Sequence, residues 1–439
     1  MSIFKAYDIR GIVGTELDES LARKIGEGFA TLVEPRTVVI ARDMRPHSPG
    51  LARALTEGLT AQGVDVIDIG MVSTPMCYFA NGTLKADASI MITASHNPGE
   101  YNGFKLCRAN AVPISGANGI KDLEKIVVEE AFRPRPGNIG TVTDHNIVPE
   151  YVKHIRQFAD IKRPLRVAVD YANAMGIAES AVLDGLFEMD PLFDTYDGSF
   201  PNHEANPLDE ETFESLTHHV QRGQFDFGIA FDGDADRVGF VDEKGQIISM
   251  DMITALIARA MLAKEKGIVF YDLRSSKAVK ELIEENGGEA RMSRVGHAFI
   301  KQQIREAGAV FAGELSGHYY FRENFFTESS GLAVLFIANL LSASDKPLSE
   351  LVAPIRKYAA SGEINSRVRD PQAVFDKIRA AFPEAHTFEL DGLSVEMGDW
   401  WFNVRMSNTE PLCRLNLEAP TAEQMEKHRD TVLAIIRSC

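Results

Sequence analysis

Short apolar runs rich in valine and isoleucine recur along the chain and end in polar or glycine-bearing turns, with stretches of helical periodicity between them. Runs of this length, spaced widely enough for a helix, predict alternating strands and helices and therefore an α/β architecture. Candidate strands span residues 37–40 before Ala41-Arg42-Asp43, 64–69 before Gly70, 89–92 before Thr93, 165–169 before Asp170, 227–231 before Asp232 and 268–271 before Asp272. In open α/β sheets ligands gather at the carboxyl ends of strands. Three chemically dense loops occupy such ends.

Composition breaks divide the chain. Arg133-Pro134-Arg135-Pro136-Gly137 interrupts a helical stretch, and Lys162-Arg163-Pro164 precedes a fresh strand, so a first domain is expected over 1–145. The polar turn Glu243-Lys244-Gly245 closes a second over 146–247, and a third covers 248–358. After Ala359-Ala360-Ser361-Gly362-Glu363 the pattern changes to a helix, then strands rich in Trp and Phe, then a closing helix over 422–437, a small α+β domain over 359–439. The first three segments share a strand and helix rhythm without a short-period repeat.

Length and charge narrow the functions open to the chain. Its 439 residues, at about 150 per domain, suggest about three domains. The composition, 45% apolar and 25% charged, is that of a soluble globular protein. A formal charge of −17 leaves no global positive field for nucleic acid or an anionic membrane, so an anionic ligand needs a local cluster of Arg and Lys. The beginning of the chain lacks the apolar core of a signal peptide, and the apolar run 331–341 falls short of the roughly 20 residues a bilayer requires. Cys77, Cys107, Cys413 and Cys439 are scattered without a C-x-x-C pair. A reducing, cytoplasmic address is expected.

The densest loop is Phe231-Asp232-Gly233-Asp234-Ala235-Asp236-Arg237. Three carboxylates at alternate positions repel one another unless a cation sits among them, and hard oxygen ligands suit Mg²⁺ or Ca²⁺. The rival is an EF-hand loop with Glu243 at its twelfth position, opposed by Arg237 where that loop needs glycine and by flanks that read as strands. A solvated acidic turn is the bland alternative. In Thr93-Ala94-Ser95-His96-Asn97-Pro98, Ser95 is a candidate nucleophile that needs activation, or part of a hydroxyl-bonded turn before proline. A dyad with His96 is disfavoured because neighbours in extended chain point apart. Gly313-Glu314-Leu315-Ser316-Gly317-His318 is either a plain glycine turn or a carboxylate and hydroxyl suited to sugar hydroxyls. Arg405-Met406-Ser407-Asn408-Thr409-Glu410-Pro411 offers converging donors for one phosphate, or a polar turn between strands. No P-loop or complete dinucleotide fingerprint is present. The residues point to a metal-assisted enzyme acting on a phosphorylated, hydroxyl-rich small molecule.

Together and in this order, the four loops resemble the α-D-phosphohexomutase superfamily, and the resemblance covers essentially the whole chain. It implies three related mixed α/β domains plus a smaller C-terminal α+β domain around one central cleft. It further implies that Ser95 carries a phosphoryl group, that Asp232, Asp234 and Asp236 hold Mg²⁺ with Ser95, that Glu314 and Ser316 read the sugar, and that Arg405, Ser407, Asn408 and Thr409 hold the distant phosphate. Arg10, Lys105, Arg237 and His297 match residues near the transferring group, with Lys105 and His297 as proton-transfer candidates. Tyr7 is expected beneath the serine, with His96, Arg274 and His318 in support; Arg274 stands where family members often carry Lys. Residues 4–11, 361–366 and 399–411 look like the phosphomannomutase branch, and Leu315 stands where glucosamine-phosphate mutases usually place Gln.

The activity implied is interconversion of mannose 1-phosphate and mannose 6-phosphate through a phosphoserine and a hexose 1,6-bisphosphate, which also serves as activator. Glucose phosphates are expected substrates too, because the sugars differ only at C2. Phosphoglucomutase and phosphoglucosamine mutase are alternatives within the superfamily. Outside it stand a Mg²⁺-dependent phosphatase and a non-catalytic sugar-phosphate sensor. Hexose phosphates are the expected partners of a monomer or weak homodimer, with Ser361-Gly362 as candidate hinge for the last domain.

Overall fold

The strand Ala88–Ile92 is buried along its whole length, as a strand covered on both faces must be. The computed structural model describes residues 3–406 and 412–439. In the first sheet this strand lies between Tyr101–Arg108 and Thr37–Arg42; Ile9–Ile12 extends one side, Asp65–Met71 and Val142–Asp144 the other. Pairing is parallel across the centre and antiparallel on both sides of Tyr101–Arg108.

The second and third sheets repeat one plan. In the second, Arg166–Asp170 pairs in parallel with Glu188–Leu192 and Phe227–Phe231, and the latter turns back through the antiparallel strands Val238–Asp242 and Ile247–Ile248. In the third, Ile268–Asp272 pairs in parallel with Glu289–Ser293 and Phe311–Gly313, followed by the antiparallel strands Tyr319–Phe321 and Thr327–Glu328. The fourth sheet is antiparallel throughout, in the order Ala359–Arg367, Leu412–Ala419, Trp400–Met406, Leu393–Met397, His386–Phe388. Three mixed sheets and one antiparallel sheet realise the expected α/β class.

Local signals set the helices. Glu19–Val33 starts at Asp18, whose carboxylate accepts from Leu21 N at 2.7 Å, and its cap Glu34 has φ 51°. The apolar run 331–341 lies in helix Ser330–Ser342, capped by Ser329 and buried nearly all round, so it is a core helix. Among the described residues, no helix is long and apolar enough to cross a membrane.

One continuous apolar interior runs from Val39 and Met76 through Val169 and Phe231 to Leu256 and Leu335, joining the first three sheets and their helices. The last unit has its own core, built on Val374, Phe402, Leu415 and Ile436. Its contacts with the third unit include polar bonds: Lys277 Nζ donates to Gly398 O at 2.9 Å, and Lys277 N to Glu418 Oε1 at 2.9 Å. A cavity of about 440 Å³, lined by Tyr271, Met292, Phe388 and Trp401, separates them elsewhere.

Residues 359–363, which read as a break, instead begin strand Ala359–Arg367, with a bulge between Ala360 and Glu363. Gly362, at φ 66°, supplies the bulge, and Ser361 Oγ accepts from Leu417 N at 3.0 Å. Small polar residues on an edge strand imitate a turn in sequence. The hinge candidates therefore sit in a bulged strand instead of a linker.

Glu179 is fully buried where three segments meet. Ser73 Oγ donates to it at 2.5 Å, Tyr151 OH stands 3.2 and 3.3 Å away, and a Cβ on Gly331 would lie 3.0 Å from its Oε2. Burial pushes its carboxyl up to about 7 against the donors' pull. The folded protein thus keeps this proton up to about pH 7, whereas the unfolded chain releases it near pH ~4.3. Between those values the folded state binds more protons, so stability falls as pH rises across the window. Glu179→Gln is expected to flatten that part of the pH profile, by up to about 4 kcal/mol. Urea melts of both proteins at pH 4.5, 6 and 8 check it; parallel profiles would remove Glu179 as the cause.

Candidate active site

The serine loop leaves the carboxyl end of Ala88–Ile92 and turns sharply. Ser95 has φ 51°, a left-handed value that costs a non-glycine residue about 1–3 kcal/mol. Several hydrogen bonds offset it: Ser95 N donates to Thr93 Oγ1 at 2.9 Å, Arg10 Nη1 to Ala94 O at 3.1 Å, and Arg45 Nη2 to Ser95 O at 3.0 Å. The kink also brings Ser95 Oγ to 3.2 Å from His96 Nδ1. The argument that neighbours must point apart fails here, because this backbone is not extended. Burial, followed by the charges of Arg237 and Arg10, pushes the His96 imidazole well below the usual histidine range.

Ser95 Oγ donates to Asp232 Oδ2 at 2.9 Å, so the serine loop and the acidic loop form one site. Their approach depends on Gly233, where a Cβ would lie 2.1 Å from Ser95 O. Asp232, Asp234 and Asp236 are buried, with carboxylate oxygens within 4.8 Å of one another. Lys105 Nζ lies 2.6 Å from Asp234 Oδ2 and 2.5 Å from Asp236 Oδ2, and Thr74 Oγ1 donates to Asp234 Oδ2 at 2.5 Å. Asp234 Oδ1 remains without a hydrogen-bond partner, and Asp236 Oδ1 has the His318 ring 3.3 Å away. A partnerless buried carboxylate oxygen beside two further buried carboxylates forms the donor set a hard divalent cation needs. The trio therefore fits a metal.

The electrostatics agree with that fit. Burial, then repulsion from Asp236 and Asp234, raises the Asp232 carboxyl well above its usual range. Burial acts the same way on Asp236, but Lys105 and then His318 outweigh it and hold that carboxyl well below. Burial opposes the Lys105 charge, yet Asp234 and Asp236 outweigh it and keep the ammonium above the ordinary lysine range. An EF-hand is excluded: Asp232–Asp236 join two antiparallel strands, and Glu243 is occupied by Ser349, whose Oγ donates at 2.5 Å and whose N donates at 3.1 Å.

The third sheet adds a histidine pair. His297 opens helix His297–Ala307, and burial, then Lys301 and Lys105, push its imidazole well below the usual range. His318 Nε2 stands 3.3 Å from Asp236 Oδ1, and its Nδ1 stands 3.1 Å from Glu314 Oε2. Burial and Arg237 oppose its charge, but these carboxylates prevail and hold it up to about 9. Arg237 Nε lies 3.1 Å from His318 Nε2. Glu314 is engaged by the protein itself, through Gly296 N at 3.1 Å, His318 and Tyr320 OH. Ser316 Oγ lies 2.9 Å from His318 Nδ1. Arg274 pairs with Asp272 at 2.6 Å. Tyr7, expected beneath Ser95, sets its ring edge-on against His297 at 5.6 Å and Phe299 at 5.7 Å.

A cleft of about 620 Å³ lies between Tyr7, Arg10 and Asn97 of the first unit, Arg294 of the third, and Arg405 and Arg414 of the last. In a chain of net charge −17, such an arginine cluster is the local anion site that the composition requires. Arg405 and Arg414 share Glu363, the latter at 3.3 Å. Ser407, Asn408 and Thr409 lie outside the described residues. The sequence reading missed Arg45, Thr74, Glu363 and Arg414. Only Arg45 carried a signal, standing two residues after Asp43 where the strand Thr37–Arg42 ends.

A hydroxyl facing a carboxylate trio, a buried ammonium and an arginine-lined cleft between the first, third and last units define a phosphoryl-transfer enzyme of the α/β class. Sequence comparison places it further. Family models described as phosphoglucomutase/phosphomannomutase match in four pieces: alpha/beta/alpha domain I over residues 1–134, domain II over 149–245, domain III over 249–358 and the C-terminal domain over 363–435. The chain belongs to the phosphoglucomutase/phosphomannomutase family and is a phosphohexomutase, an isomerase. It is 40% identical over 441 residues to the phosphomannomutase of Methanocaldococcus jannaschii, covering 99% of this chain and 98% of that one. The phosphomannomutase of Escherichia coli strain K12 is 39% identical over 451 residues, covering 99% of each. A crystal structure of a phosphoglucomutase/phosphomannomutase family protein from Burkholderia thailandensis superposes with a TM-score of 0.92 at 34% identity, covering 100% of this chain and 97% of that one.

Proposed function

We propose that the protein is a phosphomannomutase that interconverts mannose 1-phosphate and mannose 6-phosphate, and acts on glucose phosphates as well, through phosphoserine at Ser95 and a hexose 1,6-bisphosphate. The observation that carries this reading is the 2.9 Å bond from Ser95 Oγ to Asp232 at the mouth of the carboxylate trio. Asp232, Asp234 and Asp236, with an oxygen on Ser95, would hold Mg²⁺. When bound, it polarises the phosphoryl group and offsets charge in a loose transition state.

The chain's own groups supply the rest. His297, kept neutral, takes the proton from the attacking sugar hydroxyl, while Lys105, kept charged, balances the phosphoryl oxygens. Arg10 and Arg237 flank that group. Arg405, with Ser407, Asn408 and Thr409, holds the other phosphate, and Glu314 and Ser316 face the sugar, with His318 fixing both. Hexose 1,6-bisphosphate loads the serine and turns over in the cleft. A cytoplasmic monomer or weak homodimer accompanies this reading.

Intact mass of freshly prepared protein tests it. The wild type is expected to carry one phosphate that Ser95→Ala loses together with turnover; a protein that isomerises while its mass shows no phosphate even after treatment with a hexose bisphosphate would overturn the reading. Catalytic efficiency with mannose, glucose and glucosamine 1-phosphates then ranks the sugars. Arg405→Ala is expected to raise KM for each at least tenfold with a smaller change in kcat, because a ground-state phosphate contact is lost. An unchanged KM would remove Arg405 from the phosphate site.

A further inference from the structure

The Ser95 hydroxyl must meet the trio from a fixed direction, yet its backbone occupies a strained conformation that a flexible loop would leave. Arg45 is buried, with a side chain fully closed to solvent. Its Nη1 donates to Pro98 O at 2.7 Å and Tyr101 O at 2.9 Å; its Nη2 donates to Ser95 O at 3.0 Å and Asn97 O at 2.5 Å. Its Nε faces Asp43 Oδ2 at 3.2 Å. The planar fork thus spans the loop from Ser95 to Tyr101.

The second unit closes over this fork. Arg45 Cζ lies 5.1 Å from the centre of the Phe200 ring, and a Cβ on Gly198 would come within 2.7 Å of Arg45 Cα. The Ser95 carbonyl, bonded by Arg45, is the same atom that Gly233 of the acidic loop approaches. Guanidinium and acidic loop therefore hold one carbonyl oxygen between them, and the carbonyl belongs to the residue that reacts.

We propose that Arg45 is a positioning residue for phosphoryl transfer, its guanidinium locking the Ser95 loop in register with the carboxylate trio. The inference rests on the reading that Ser95 carries the phosphoryl group. It acts through the backbone, so it serves both halves of the reaction equally. A lysine at this position keeps the charge beside Asp43 but has no planar fork for four carbonyls.

Arg45→Lys is compared with Asp43→Asn, which loosens the ion pair and leaves the carbonyl bonds. Both are loaded with glucose 1,6-bisphosphate, and kcat is normalised to phosphoserine measured by intact mass. Arg45→Lys is expected to lose about 10²-fold in kcat per phosphorylated site, as a misplacement near 1 Å does, with KM within threefold and faster hydrolysis of the phosphoserine. Asp43→Asn should stay within threefold in kcat. Normal normalised turnover in folded Arg45→Lys overturns the proposal, as does an equal loss in Asp43→Asn. Should Arg45→Lys fail to fold, arginine side-chain NMR of the wild type decides: the Arg45 Nη signals should be resolved by hindered rotation and shift when Ser95 is phosphorylated, and averaged or unmoved signals overturn it. A wild type with no phosphate on Ser95 would sink the functional reading instead.

Discussion

Asp234→Asn is expected to reduce kcat by about 10²–10³-fold while the protein remains folded. Asp234 brings one oxygen to Lys105 and Thr74 and leaves Oδ1 without a partner. An amide keeps the shape and can still accept from both donors, but it removes one of the three charges that would hold the cation. The loss should persist at saturating Mg²⁺ if the charge itself stabilises the transition state, and shrink with rising Mg²⁺ if only affinity has fallen. Steady-state rates over a Mg²⁺ series, with a thermal melt of each protein, make the measurement. Normal kcat at ordinary Mg²⁺ would take Asp234 out of the metal set.

Lys105→Met should have two separable effects. Lys105 is buried and neutralises Asp234 and Asp236 from within, so its removal leaves packed like charges without a cation. Breaking such a buried pair costs about 3–5 kcal/mol. The variant is therefore expected to melt well below the wild type in chelator and to recover with added Mg²⁺ far more than the wild type does, since a ligand of the native state stabilises by mass action. Turnover should remain low even when the fold is restored, because the charge beside the phosphoryl group is gone. Equal Mg²⁺-induced shifts in both proteins would show that Lys105 does not substitute for the metal.

Much of this arrangement was legible in the chain because tightly constrained chemistry leaves short contiguous marks. The run Phe227–Phe231 is buried on both faces and ends at Asp232, so hydrophobic pattern and acidic spacing located the same strand end. The repetition of one sheet plan was visible only as rhythm, since register depends on partners far apart in sequence. Arg45 shows the limit. Its place two residues after Asp43 was its one mark, because the carbonyls its Nη atoms bind lie 50 to 56 residues away and leave no side-chain pattern. Glu314 shows another: its motif gave no sign that the fold brings Gly296, His318 and Tyr320 to its carboxylate. Residues 359–363 were misread because a bulged edge strand and a turn use the same small polar residues.

The separate apolar interior of the last unit bears on how the polypeptide matures during translation. The first sheet packs a core of its own around Ile40, Leu55 and Phe104 on one face, whereas the interior it shares with the second and third is completed only once the helix Ser330–Ser342 has emerged from the ribosome. The remaining stretch completes its own interior afterwards, without reopening theirs. A nascent chain halted between the two should be a compact body that contains the serine and the carboxylate trio but lacks Arg405.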